Sequence, residues 1–169
     1  MPDANPSVYV ETTIPSYLAS RPSRDLVTAA HQQITHDWWL VAERHFRLYT
    51  SEAVLEEIRQ GDPAMAARRV ELVLALPVLQ LRDEVVELAE IYSKGLGLTL
   101  EAKVDLIHIA FAVAYSLDYL VTWNCKHIAN GAVIRRLAQI NQSLGRSTPV
   151  IVTPEELQPG SLEGGNHAL

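Results

Sequence analysis

Cysteine is almost missing from this chain: Cys125 stands alone among 169 residues. No internal disulfide can form, so stability must come from a packed core, and a reducing cytoplasm is the expected setting. Long apolar runs are missing as well. No stretch reaches the roughly 18 consecutive apolar residues that a membrane span needs. The opening residues, Met1 to Pro6, lack the basic segment and apolar run of a secretory signal. Positive charge is not in excess either. The formal net charge of -6 argues against wholesale coating of nucleic acid. It leaves room for a local basic patch and suits a site that gathers carboxylates. No G-x-x-x-x-G-K-S/T loop occurs, so nucleoside triphosphate hydrolysis has no support.

What remains is ordinary globular material, 48% apolar and 20% charged. The length fits one domain, expected over residues 1–157. Residues 158–169, rich in Gly, Ser and Asn, are expected to form a disordered tail.

The hydrophobic pattern alternates short β-branched runs with segments of helical period. Strands are expected at Val8–Val10, Arg47–Thr50, Pro77–Leu81, Asp118–Trp123 and Pro149–Val152. Pro15 is expected to stop the first strand from continuing. Helices are expected over residues 25–46, from Ser51 as N-cap to Gln60, from Asp62-Pro63 onward, from Asp83 as cap to Lys94 with Gly95 and Gly97 breaking it, and over 100–117 and 129–144. Thr153-Pro154-Glu155-Glu156 carries a capping box and a helix-start proline. This alternation predicts an α/β fold with a central, mostly parallel sheet of about five strands flanked by helices. In such sheets ligands bind outside the carboxyl ends of the strands. That rule directs attention to the residues after strands one, two and four.

Glu11 ends the first strand, Glu57 lies on the helix after the second, and Asn124 ends the fourth. Asp105 lies early in the most apolar helix, where an unpartnered charge is costly. Glu57 is preferred to Glu56 because it shares a helical face with Val54 and Ile58. Three carboxylates gathered at one sheet edge repel one another, and a hard cation such as Mg²⁺ or Mn²⁺ relieves the repulsion. A cation so held acidifies a water and stabilises charge growing on a phosphate. Thr12 and Thr13 offer hydroxyls beside Glu11. His108, one turn after Asp105, is open to three roles: orienting Asp105, touching substrate, or serving as a hydrogen-bonded core histidine, the last being preferred. Arg21, Arg24 and Lys126 follow strands one and four and are candidates for receiving phosphates. Arg44, Arg47, Arg135 and Arg136 are further candidates.

The stretches Val8–Leu18, Thr50–Ile58, Lys103–Ala110 and Tyr119–Ile128 resemble, in order, the PIN domain and specifically the VapC-like toxins of type II toxin–antitoxin systems. The resemblance runs from about Ser7 to Leu157. It implies a three-layer fold, a metal-dependent endoribonuclease, a homodimer, and an antitoxin protein that occupies the active-site groove. It implies Glu11, Glu57 and Asp105 as metal ligands with Asn124 at a fourth corner. Two departures stand out: Glu11 where the family usually has Asp, and Asn124 where it usually has an acid. The loss of one charge lowers the expected metal affinity. A PIN-like domain that binds RNA or a protein partner without cutting is the alternative.

Cys125-x-His127 has poor spacing for zinc and no second cysteine. A Cys125 nucleophile would need a base in reach, and a small, partly buried residue is the simpler reading. Trp38 and Trp39 are read as core or dimer contact and Trp123 as sheet core.

Overall fold

A computed structural model of the chain describes residues 5–98 and 100–159. Among these, five strands alternate with seven helices: β1 (Ser7–Val10), α1 (Thr13–Ala19), α2 (Leu26–His45), β2 (Arg47–Ser51), α3 (Glu52–Ile58), α4 (Pro63–Val73), β3 (Val78–Leu79), α5 (Asp83–Leu96), α6 (Leu100–Ala114), β4 (Tyr119–Val121), α7 (Gly131–Ser143) and β5 (Val150–Val152). The strands form one sheet in the order β3-β2-β1-β4-β5, and every pairing is parallel. All four residues of β1 are buried, as a central strand covered on both faces requires.

The winding changes direction between β1 and β4, which creates the crevice where α/β folds place their ligands. Register fixes what meets there. Val10 pairs with Val121, so Glu11 and Thr122 leave the sheet side by side, and Glu11 N donates to Val121 O at 3.2 Å. The opposite ends of these strands are clamped by Asp118, whose Oδ2 accepts from Ser7 N at 2.8 Å and Ser7 Oγ at 2.7 Å. Asp118 N returns a bond to Ser7 Oγ at 3.0 Å.

Helix α6 is the core helix. Leu106, Ile109, Ala110, Phe111 and Ala112 are fully buried. It packs on α5, which also meets α7, while α1 packs on α2 and α4. Tyr92 of α5 donates to Asn141 Oδ1 of α7 at 2.6 Å. Gly95 allows close approach between these two helices, because a Cβ there would lie 2.7 Å from Ile140 Cδ1.

Several local expectations change. Helix α1 was not expected, since Pro15 reads as a breaker. Pro15 sits in the first turn, where its missing N–H would have had no helical partner. Helix α5 passes through Gly95 and ends at Leu96, with Gly97 in the left-handed region at φ 59°. Its N-cap is Arg82, with Asp83 already inside the first turn. Helix α6 ends at Ala114, not Leu117, and Ser116 turns the chain at φ 52°. Strands β3 and β4 are shorter than the apolar runs that contain them. Thr153 and Glu156 do make the capping-box bonds, with Thr153 N reaching Glu156 Oε2 at 2.8 Å, but the segment is a turn. The expected disordered tail falls mostly on residues 160–169, outside the described residues. Within it Gln158 Nε2 donates to Pro154 O at 2.7 Å. No helix among the described residues is long and apolar enough to cross a membrane.

Candidate metal centre

Glu11 is the first residue past β1 and only 3% exposed. A buried carboxylate must be hydrogen-bonded, and here one oxygen carries all the bonds. Oε2 accepts from Thr13 N at 3.0 Å, Thr13 Oγ1 at 2.5 Å and Thr122 Oγ1 at 2.8 Å. The same hydroxyls tie down the end of β4: Trp123 N donates to Thr13 Oγ1 at 2.8 Å and Asn124 N to Thr122 Oγ1 at 2.9 Å. Glu11 Oε1 takes no hydrogen bond among the described residues.

Glu57 is placed by its helix. Ser51 caps α3 by accepting from Val54 N at 3.2 Å. Val54 and Ile58 are buried, Glu57 is half-buried beside them, and Glu56 faces outward. Glu57 Oε1 meets His108 Nε2 at 3.0 Å. The ring is fully buried, and its Nδ1 lies 2.7 Å from Tyr9 Oη, which lies 2.7 Å from Ser51 Oγ. With a neutral ring, Ser51 donates to Tyr9, Tyr9 to Nδ1, and Nε2–H to Glu57, so every group in the chain is satisfied. Burial pushes Glu57 up, but the hydrogen bond and charge of His108 outweigh it and leave the carboxyl below its ordinary value. Burial pushes His108 down, while the Glu57 bond and the charges of Glu11, Glu57 and Asp105 carry it above the usual imidazole value. Burial holds the Tyr9 phenol well above its ordinary value.

Ligand atoms of Glu11, Glu57 and His108 lie within 4.8 Å of one another. Both nitrogens of His108 are already committed, so the two carboxylates are the donors that can face a cation, and His108 orients Glu57. Thr12 Oγ1 is buried with no hydrogen-bond partner, yet close enough to Glu57 to favour its charged form. An orphaned buried hydroxyl beside two acids fits a hydrated hard cation, whose oxygen shell would satisfy it.

Asp105 lies outside that group of three. It is half-buried on α6, and its Oδ2 meets His127 Nδ1 at 2.7 Å. Its charge reaches His108, but its hydrogen bond goes to the turn after β4. Asn124 is engaged in the same turn, where its Oδ1 accepts from His127 N at 3.0 Å. His127 as the partner of Asp105, Thr122 as a partner of Glu11, and the Tyr9–Ser51 chain behind His108 were not anticipated. An Asn three residues before a His was the one available signal, since Asn commonly caps a turn at that spacing.

Arg21 and Arg24, between α1 and α2, and Lys126, in the turn after β4, are exposed. They have no carboxylate partner among the described residues. Next to Glu57 lies a groove of about 320 Å³ walled by Ala53, Leu81, Val86, Val104 and Ile107, with Glu52 and Glu56 at its rim. Trp38 is fully buried. Trp123 stacks on His31 at 4.0 Å between ring centroids and donates Nε1 to Thr35 Oγ1 at 2.7 Å, which places it in the interior. Cys125 is exposed, not the partly buried residue expected, and its partial desolvation with the charge of Glu156 raises the thiol, the opposite of an activated nucleophile.

A five-stranded parallel sheet flanked by helices, with Glu11 and Glu57 at the β1–β4 crevice, defines an α/β fold. The same fold is seen in the crystal structure of VapBC2 from Rickettsia felis bound to a DNA fragment from their promoter. A chain of that structure matches with a TM-score of 0.56 and 13% sequence identity, over 87% of this chain and 98% of its own. No family model and no curated protein sequence matches this chain.

Proposed function

We propose that this chain is a Mg²⁺- or Mn²⁺-dependent endoribonuclease acting as the toxin of a type II toxin–antitoxin pair. The observation that carries the reading is common to three acids. Glu11, Glu57 and Asp105 each have one oxygen engaged by protein donors and the other without a hydrogen bond among the described residues. Carboxylates oriented in that way suit one-oxygen ligation of a small octahedral ion that keeps several waters. Glu11, Glu57 and Asp105 would hold the ion, with Asn124 at the family's fourth corner. When bound, the ion supplies an acidified water and neutralises charge developing on the scissile phosphate. Thr12 offers a hydroxyl to the water shell, while Thr13 is already engaged with Glu11. Arg21, Arg24 and Lys126 would receive phosphates of the RNA strand. The apolar groove beside Glu57, with its acidic rim, would take an amphipathic helix of the cognate antitoxin carrying a basic residue. A cytoplasmic homodimer belongs to the same reading.

Calorimetric titration with Mn²⁺, together with an RNA-cleavage assay of wild type and Asp105→Asn, tests it. Wild type is expected to bind the metal and cut, and the variant to lose both. A wild type that binds neither Mg²⁺ nor Mn²⁺ and cuts no better than the variant would sink the nuclease reading. The second reading, binding without cutting, is favoured by Asn124, whose amide oxygen already serves the turn.

A further inference from the structure

Asn124 opens a tight turn. Its carbonyl accepts from Ile128 N at 3.1 Å and from Ala129 N at 2.8 Å, and its side-chain oxygen accepts from His127 N at 3.0 Å. Ile128 is fully buried and anchors the turn in the core. A turn held at both levels has little freedom, so the backbone fixes the Cα–Cβ direction of His127 and the bond to Asp105 holds its ring. That side chain reaches Asp105 Oδ2 at 2.7 Å across 22 residues of sequence, with both groups about four-fifths shielded from solvent. An ionised carboxylate can only accept, so Nδ1 carries the proton and the ring tautomer is fixed. A second carboxylate in the crevice is treated the same way: His108 holds Glu57 Oε1 at 3.0 Å. Each histidine restrains one oxygen and leaves the other without a protein donor.

We propose that His127 is the positioning residue for Asp105: it turns the Oδ1 side of that carboxylate toward the cation held by Glu11 and Glu57, and Asn124 contributes by capping the turn that delivers His127. This rests on the metal-site reading above and extends it to residues outside the ligand set. Hydrogen-bonded partners behind metal ligands commonly contribute tenfold to a hundredfold to metal affinity, because they remove the freedom a ligand would lose on binding.

Mn²⁺ alone is the probe, titrated by calorimetry into the full chain and its variants, with thermal melts as the check on folding. His127→Ala is expected to weaken Mn²⁺ binding by roughly ten- to a hundredfold. His127→Asn puts an amide donor where Nδ1 stands and is expected to recover most of that affinity. Asp105→Asn is expected to bind as weakly as His127→Ala or more weakly. The positioning role is overturned if His127→Ala binds like wild type, or if His127→Asn melts normally yet binds no better than His127→Ala. Equal Mn²⁺ affinity in wild type and Asp105→Asn overturns it too. A wild type with no Mn²⁺ affinity removes the metal-site reading itself and this inference with it, an outcome distinct from a wild type that binds with His127 irrelevant.

Discussion

His108 Nε2 stands 3.0 Å from Glu57 Oε1, at the end of a buried hydrogen-bond chain that begins at the N-cap of the helix carrying Glu57. Ser51 caps α3, Tyr9 of β1 bridges Ser51 to His108, and His108 returns to α3 at Glu57. The loop joins four elements, β1, β2, α3 and α6, so contacts from the core position the acid. Tyr9→Phe removes the bridge and leaves both Ser51 Oγ and His108 Nδ1 short of a partner. A loss of about 1–3 kcal/mol is expected in chemical denaturation, the cost of unsatisfied buried polar groups. A loss below about 0.5 kcal/mol would mean that the chain contributes no stability.

Metal binding should appear as stability. A ligand that binds only the folded state at a hundred times its Kd adds about 2.7 kcal/mol, and for a chain of 169 residues each kcal/mol raises Tm by about 2–4 °C. Saturating Mn²⁺ is therefore expected to raise the melting temperature by roughly 5–10 °C, and EDTA to reverse it. Glu57→Gln and Glu11→Gln should abolish most of the rise. An equal rise in all three proteins would place the cation elsewhere.

Asp118 provides a pH dependence away from the crevice. Its hydrogen bond from Ser7 N, then that from Ser7 Oγ, hold its carboxyl below the ordinary value. The folded form therefore has the lower pKa. The clamp contributes in full above the unfolded value near 4 and is lost as pH falls through the folded value. Asp118→Asn is expected to cost about 1 kcal/mol near neutral pH, since Asp118 is exposed and solvent weakens the bond. The gap between the two proteins should narrow as pH drops from 6 toward 3. A gap that widens on acidification would reverse the assigned direction.

Where the chain's chemistry is local, the sequence was readable. Ser51 as a cap fixes the phase of the next two turns, and that phase alone selects Glu57 over Glu56. The parallel sheet follows from five short apolar runs separated by helices, since parallel strands need crossover connections, while their order came only from the structure. Two kinds of feature were hidden. A proline in a first helical turn looks like a proline that ends structure, so α1 was lost behind Pro15. The partner of Asp105 was hidden because it is 22 residues away, on a turn whose shape depends on Asn124 capping it. Cys125 beside His127 draws the eye to zinc or thiol chemistry, while the histidine's geometry answers to an acid on another helix.

Asn124 separates two ideas about its own side chain. As a cap, its requirement is an acceptor for the His127 N–H, which Asp supplies as well as Asn does. Asn124→Asp is then expected to keep thermal stability within about 0.5 kcal/mol of wild type. Asn124→Ala, with no acceptor, should lose about 1 kcal/mol and, by loosening the turn, weaken Mn²⁺ binding in the same direction as His127→Ala. The informative comparison is Asn124→Ala against the double variant with His127→Ala. If the cap acts through His127, the two substitutions share one pathway, and the double variant binds Mn²⁺ no more weakly than His127→Ala alone. If the losses multiply, Asn124 reaches the metal by a route of its own.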